Sequence, residues 1–115
     1  MTDSCLFCKI VAGDIKAKVV YQDDSVLAFH DIDPKAPLHV LVIPKRHIAT
    51  LNDPRPGDAE LMGRLILTAQ HIAREQGIAD AGYRTVINCN RDGGQAVYHI
   101  HLHLLGGRQM QWPPG

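Results

Sequence analysis

The chain lacks a net charge: 12 Lys and Arg are balanced by 12 Asp and Glu. No basic block stands out, which argues against a broad nucleic-acid footprint and against a membrane-surface role. No apolar run approaches the roughly 20 residues that a membrane span needs. The opening "MTDSCLFCKIVAGD" is too short and too charged to read as a secretory signal. Cysteine is scarce and odd in number, three in all, so a complete internal disulfide framework is excluded. Reduced thiols and a cytoplasmic location are expected, with Cys5 and Cys8 either free or holding a metal. Internal repeats, low-complexity tracts and Pro- or Ser-rich linkers are all missing, so residues 1–115 are expected to form one domain. At 45% hydrophobic residues the chain can bury a core, although a chain this small has little stability in reserve and often associates.

What the sequence does contain is a succession of short, strongly patterned segments. Ser4 is expected to cap a short helix over "CLFCKIVAG", with Gly13 as its stop. "AKVVYQDDSVLAFHDI" reads as two strands around the Asp23-Asp24-Ser25 turn, because apolar alternation meets turn residues there. "DPKAP" is a Pro-rich loop, and "HVLVIP" a buried strand ending at Pro44. The one long helix begins near Asp58 and ends at Gly77, with Leu61, Leu65, Ala69, Ile72 and Ala73 on its apolar face. "YRTVINCN" reads as a β-branched strand with Cys89 as a small buried residue in it. "RDGGQ" carries an Asp-Gly hairpin signal, and "AVYHIHLHLLGG" is the returning strand. The expected class is α+β, an antiparallel sheet with a helix packed on it.

The returning strand holds three of the chain's seven histidines. Strand geometry puts His99, His101 and His103 on one face and Ile100, Leu102 and Leu104 on the other. An aliphatic face supplies core, so the imidazoles look toward a cleft or another layer. A solvated face would select Lys, Thr or Glu, which leaves two chemical readings. Histidines at i and i+2 can chelate zinc, with further ligands from elsewhere. Alternatively one imidazole is a nucleophile or base beside an anionic target. The Gly-rich turn before it favours phosphate, because glycines let backbone N–H groups approach an anion. Asn88 in "NCN" can face a phosphate or leaving group.

"HIHLHLL" resembles the His-x-His-x-His-x-x signature of the histidine triad (HIT) superfamily, in which x is hydrophobic. "FCKIVAGDI", "LAFHDI", "APLHVLVIPKRHI" and "DGGQAVYHIHLHLLGGRQMQWPPG" extend the resemblance over nearly the whole chain, and the "WPPG" ending points to its Hint branch. The resemblance implies a five-stranded antiparallel sheet with one long helix and a short N-terminal helix, continued across a homodimer. It implies a purine nucleoside phosphoramidase, cleaving the P–N bond of nucleoside 5′-phosphoramidates of AMP or GMP, with aminoacyl adenylates, which are acyl phosphates, as further substrates. His101 corresponds to the nucleophile, attacking phosphorus to give a nucleotidyl-histidine, with its other ring nitrogen held by a backbone carbonyl. His103 corresponds to a phosphate ligand and His39 to a fourth active-site imidazole that stabilises charge and relays protons.

In "FHDI", Asp31 would bind the ribose hydroxyls while Phe29, His30 and Ile32 border the nucleoside. Leu6, Phe7, Ile10 and Ile15 would close that pocket or else serve as ordinary core. Asn88 and the Gly94, Gln95, Ala96 and Val97 backbone would contact the phosphate side, and Trp112 would reach the partner's site. Relatives with this opening bind zinc through positions matching Cys5, Cys8, His47 and His99, a closed structural set that catalysis does not need. Hint proteins usually carry Ser where this chain has Ala96, so one donor near the leaving group is missing. A dinucleoside polyphosphate hydrolase and a non-catalytic nucleotide-binding module are the competing functions.

Overall fold

The computed structural model describes residues 4–115. In chain order it contains α1 (Leu6–Ala12), β1 (Val19–Gln22), β2 (Val26–His30), β3 (Leu38–Pro44), a 3₁₀ turn (Pro56–Asp58), α2 (Ala59–Glu75), β4 (Tyr83–Val86), a helical turn α3 (Asn90–Gly93) and β5 (Leu102–Gly106). The strands form one antiparallel sheet in the order β1-β2-β3-β5-β4. The expected α+β class therefore holds, as do both strands around the Asp23 turn. That turn is set by the Asp23 carboxylate, which accepts the N–H groups of Ser25 and Val26 at 2.8 and 2.9 Å.

Alternation along the strands sorts their side chains into two layers. Val26, Ala28, Val40, Val42, Leu102 and Leu104 face α2 and meet its buried Leu65, Ala69, Ile72 and Ala73. Leu27, Phe29, Leu41 and Ile43 face the other way and pack with Cys5 and Phe7 of the N-terminal segment. Among the described residues no helix is long and apolar enough to cross a membrane.

Four local expectations need correction. The N-cap of α1 is Cys5 rather than Ser4, its sulfur accepting the Cys8 N–H at 3.3 Å. The Asp-Gly pair does not turn a tight hairpin: Asn90–Gly93 form one helical turn, and Gly94 leaves it in the left-handed region at φ 77°. The flanking strands are consequently short. β4 stops at Val86, so Cys89 is a half-buried residue at the start of the turn rather than a strand residue. β5 begins only at Leu102, so His99 and His101 precede it. That approach is nonetheless pinned, because Ile100 N–H donates to the Ile48 carbonyl at 2.6 Å.

Candidate active site and metal centre

The histidines converge on the α1 side of the sheet. Register pairs His39 with Leu105 and Leu41 with His103, so His39 and His103 are diagonal neighbours on adjacent strands. His39 Nε2 and His103 Nδ1 lie 2.9 Å apart. The edge of Phe7 closes the group from α1, with ring centroids 5.2 Å from His101 and 6.0 Å from His99. His39, His99 and His101 are buried and His103 is nearly so.

Backbone groups dictate which nitrogen of each ring carries the proton. Lys35 N–H donates to His39 Nδ1 at 3.0 Å, so neutral His39 keeps its proton on Nε2 and gives it to His103 Nδ1. His103 must then be protonated on Nε2, a buried atom with no hydrogen-bond partner. An unpaired donor in that position is costly unless an acceptor arrives. His101 Nδ1 lies 2.8 Å from the His99 carbonyl; a carbonyl only accepts, so Nδ1 holds the proton and Nε2 is a bare lone pair. His99 Nε2 likewise donates to the Pro44 carbonyl at 2.8 Å, leaving Nδ1 bare. Burial pushes all four imidazoles below the ordinary histidine range, against the pull of Asp31 on His39 and of the carbonyls on His99 and His101. His103 is lowered to about 4, by burial first and then by the neighbouring rings of His101 and His39.

The bare Nδ1 of His99 points into a cluster of sulfur and nitrogen. It lies 3.3 Å from Cys5 Sγ, 3.5 Å from Cys8 Sγ and 3.3 Å from His47 Nδ1, and Cys8 Sγ lies 3.3 Å from His47 Nδ1. Tetrahedral zinc with Zn–S near 2.3 Å and Zn–N near 2.0 Å separates its ligands by roughly 3.3–3.8 Å. The four residues thus fit a closed Cys2His2 centre, and the His99–Pro44 bond is the outer contact that orients a metal-ligating histidine. Burial, then the Cys5 sulfur, push the Cys8 thiol up to about 11, so a thiolate there needs a cation beside it.

Asp31, His39 and His103 also bring ligand atoms within 4.8 Å of one another, but they do not fit a metal. The Lys35 N–H occupies His39 Nδ1, so a metal on Nε2 would demand a fully deprotonated ring.

The other expected residues are distributed around this core. His30, Asp31 and Ile32, with Lys16, Ala17 and Lys18, line an open cleft of about 820 Å³. Asp31 Oδ1 accepts Asp33 N–H at 2.8 Å and Oδ2 lies 3.4 Å from His39 Nε2, tying the cleft to the imidazoles. Phe29 is 4% exposed and meets Phe7 edge-on at 5.4 Å, so both are core beneath the cleft. Ile32 is 100% exposed, and Leu6 and Ile15 also face solvent, whereas Ile10 packs on the core. Ala96 and Val97 line a second cleft, about 410 Å³, together with Leu6, His47 and Tyr98. Asn88 lies half-buried with its backbone against Gly93 of the turn.

The Gln95 side chain is turned inward, accepting Asn90 N–H at 2.9 Å and donating to the Ala49 and Val97 carbonyls at 2.8 and 3.0 Å. Trp112 is 82% exposed in a tail that Arg84 holds by the Gln111 carbonyl at 2.9 Å. Sequence reasoning missed Lys35, Pro44 and the Gln95 clamp. The first two act through backbone atoms, which leave no mark on residue type.

An antiparallel five-stranded sheet with one long helix, and histidines from β3 and the approach to β5 meeting on its other face, define a class of protein. The chain belongs to the HIT domain family, whose model matches residues 12–110. It is 50% identical over 110 residues to a purine nucleoside phosphoramidase of Escherichia coli strain K12, covering 96% of this chain and 92% of that protein. Its structure superposes with a TM-score of 0.96 on a HIT family hydrolase from Legionella pneumophila Philadelphia 1, 57% identical, covering 97% of this chain and 100% of the other. A Zn-bound histidine triad family protein from Mycobacterium smegmatis is 37% identical, with a TM-score of 0.82 over 94% of this chain and 78% of that one.

Proposed function

We propose that this protein is a purine nucleoside phosphoramidase that works through a nucleotidyl-His101 intermediate. The observation that carries the reading is the pairing of two ring nitrogens. His101 Nε2 is a lone pair fixed by the His99 carbonyl, and His103 Nε2–H is a buried donor waiting for an acceptor. A phosphate oxygen on the His103 N–H places an electrophilic phosphorus against the His101 lone pair. The His101 Nε2–P bond forms as the P–N bond breaks, and the departing amine takes a proton from the imidazole network. Water then attacks the same phosphorus, releasing the nucleoside monophosphate and restoring His101. His39 supports this by holding His103 in its donating tautomer, and Asp31 binds the ribose from the cleft beside it. The 50% identical phosphoramidase supports the same substrate class.

Cys5, Cys8, His47 and His99 would hold a structural zinc, which would fix the first triad histidine and through it the carbonyl that orients His101. No chemical step passes through it. The assembly is a homodimer, and the expected compartment is the cytoplasm.

The test is an adduct. Rapid quenching with an adenosine phosphoramidate and peptide mass analysis should find nucleotide on His101, and His101→Ala should cut turnover by at least about 10³-fold while nucleotide binding persists. Faster hydrolysis of a diadenosine polyphosphate than of the phosphoramidate would replace this reading with the polyphosphate hydrolase. Unchanged turnover in His101→Ala would overturn it.

A further inference from the structure

The His39 tautomer depends on one backbone N–H, that of Lys35, and Lys35 sits in a stretch between β2 and β3 without regular structure. Within that stretch the bonds are local: Asp33 N–H to Asp31, and Lys35 Nζ to Asp33 at 2.7 Å. Asp31 N–H reaches the His39 carbonyl at 2.9 Å, which anchors only the near end. Among the described residues, the one group beyond β3 that hydrogen-bonds this loop is Arg108. Its Nε and Nη2 both donate to the Lys35 carbonyl, each at 3.1 Å.

The approach of Arg108 is built into the chain. β5 ends at Gly106, and Gly107 turns it with φ 91°. A side chain at Gly107 would come within 2.8 Å of Pro37, in the loop itself, so glycine alone lets the two segments close. Arg108 then reaches back across Pro37 to Lys35. The result is a closed ring. His103 on β5 hydrogen-bonds His39 on β3, Lys35 fixes the far side of His39, and Arg108, two residues past the end of β5, closes the ring.

We propose that Arg108 is a positioning residue for the His39–His103 pair: by holding the Lys35 carbonyl it keeps the Lys35 N–H on His39 Nδ1, and so fixes the direction in which both rings donate. This rests on the phosphoramidase reading for its catalytic consequence, but not for its structural one. Arg108 is exposed, and its hydrogen bonds go to the Lys35 and Gln109 carbonyls. A neutral side chain there removes a charge-assisted, two-pronged contact without opening the core.

Imidazole ¹⁵N spectra of the whole protein, recorded without substrate at neutral pH, test it directly. The native protein should show His39 bare at Nδ1 and protonated at Nε2. In Arg108→Gln, at unchanged backbone dispersion, both His39 nitrogens should move toward mixed-tautomer positions, and Arg108→Lys should restore most of the native signature. Lys35→Pro, which deletes the donor outright, should give the same mixture. On a phosphoramidate, Arg108→Gln should lower kcat about tenfold with KM within about twofold. Native His39 resonances in Arg108→Gln would overturn the proposal, the more sharply if Lys35→Pro shifts them. A tautomer shift in a protein that proves inactive on phosphoramidates would leave the proposal standing and count against the function alone.

Discussion

At the scale of single residues the protein consists of imidazoles kept neutral by burial, and neutrality has a consequence for stability. His103 is lowered to about 4 against an ordinary value near 6.5, and His39 is lowered too. As pH falls below about 6.5 the unfolded chain takes up protons that the folded rings refuse, so stability is full above that value and is lost on the way down toward 4. Thermal melts from pH 7 to pH 4.5 should show Tm falling, and His103→Gln should flatten that slope; an equal slope in the variant would remove His103 as its cause. Ala96 is the residue-scale departure on the substrate side. It lies exposed on the rim of the cleft shared by Leu6, His47 and Tyr98, the place the proposed function gives to the leaving-group side. One neutral hydrogen bond is worth about 1 kcal/mol, so Ala96→Ser should change kcat/KM about fivefold for at least some amines. Steady-state rates across several leaving groups check this, and identical kcat and KM throughout would dismiss it.

Among the elements, α1 is the one that cannot hold itself in place. It has 7 residues and buries only Phe7, too little for a helix of that length to persist by propensity. Ile10 and Val11 pack on the core only in part, and Cys5 at its cap and Cys8 one turn on tie it through His99 and His47 to the approach to β5 and the stretch after β3. Metal at that cluster would therefore act as the clasp of the element. Chelation should lower Tm and speed hydrogen exchange in residues 5–13 well before the α2 layer opens, whereas stoichiometric absence of zinc in protein purified without chelator would remove the clasp. Phe7→Ala should loosen the same element by about 3–5 kcal/mol.

The elements also show what could be read from sequence. The short apolar runs in "VLAFH" and "HVLVIP" and the 3.6-residue period of α2 are signals that burial itself writes, and they were legible. So were the thiols and imidazoles, whose residue types are their chemistry. The turn at Asn90–Gly93 was not, because Asp-Gly suits a helical end as well as a hairpin. Nor were the Lys35 N–H and the Pro44 carbonyl, which direct the rings of His39 and His99 through backbone atoms, whereas the carbonyl behind His101 was implied by the resemblance and is that of His99.

On the scale of the whole molecule the question is which surface is unfinished. The sheet has two free edges, β1 and β4. β1 is protected in the usual way: a register shift between Val19 and Tyr21 breaks its pairing line, and Lys16 and Lys18 lead into it. β4 has a regular register with β5, and its one charge, Arg84, is turned to the tail. On α2, Ile66 and Leu67 are 56% and 59% exposed, two adjacent large aliphatics on a helix otherwise turned correctly to the core. An open edge and an exposed aliphatic pair are the surfaces through which the proposed homodimer would form. The tail follows from the same edge, since Arg84 on β4 holds the Gln111 carbonyl. Pairing through β4 would therefore carry Trp112, now 82% exposed, toward the second subunit. Sedimentation should give twice the chain mass at micromolar concentration, with slow exchange of Tyr83–Val86 amides. Ile66→Glu should shift the equilibrium toward single chains and Trp112→Ala should leave it unchanged. A single-chain mass for the native protein would refute the joined sheet, and with it the reach of Trp112 into a partner's cleft.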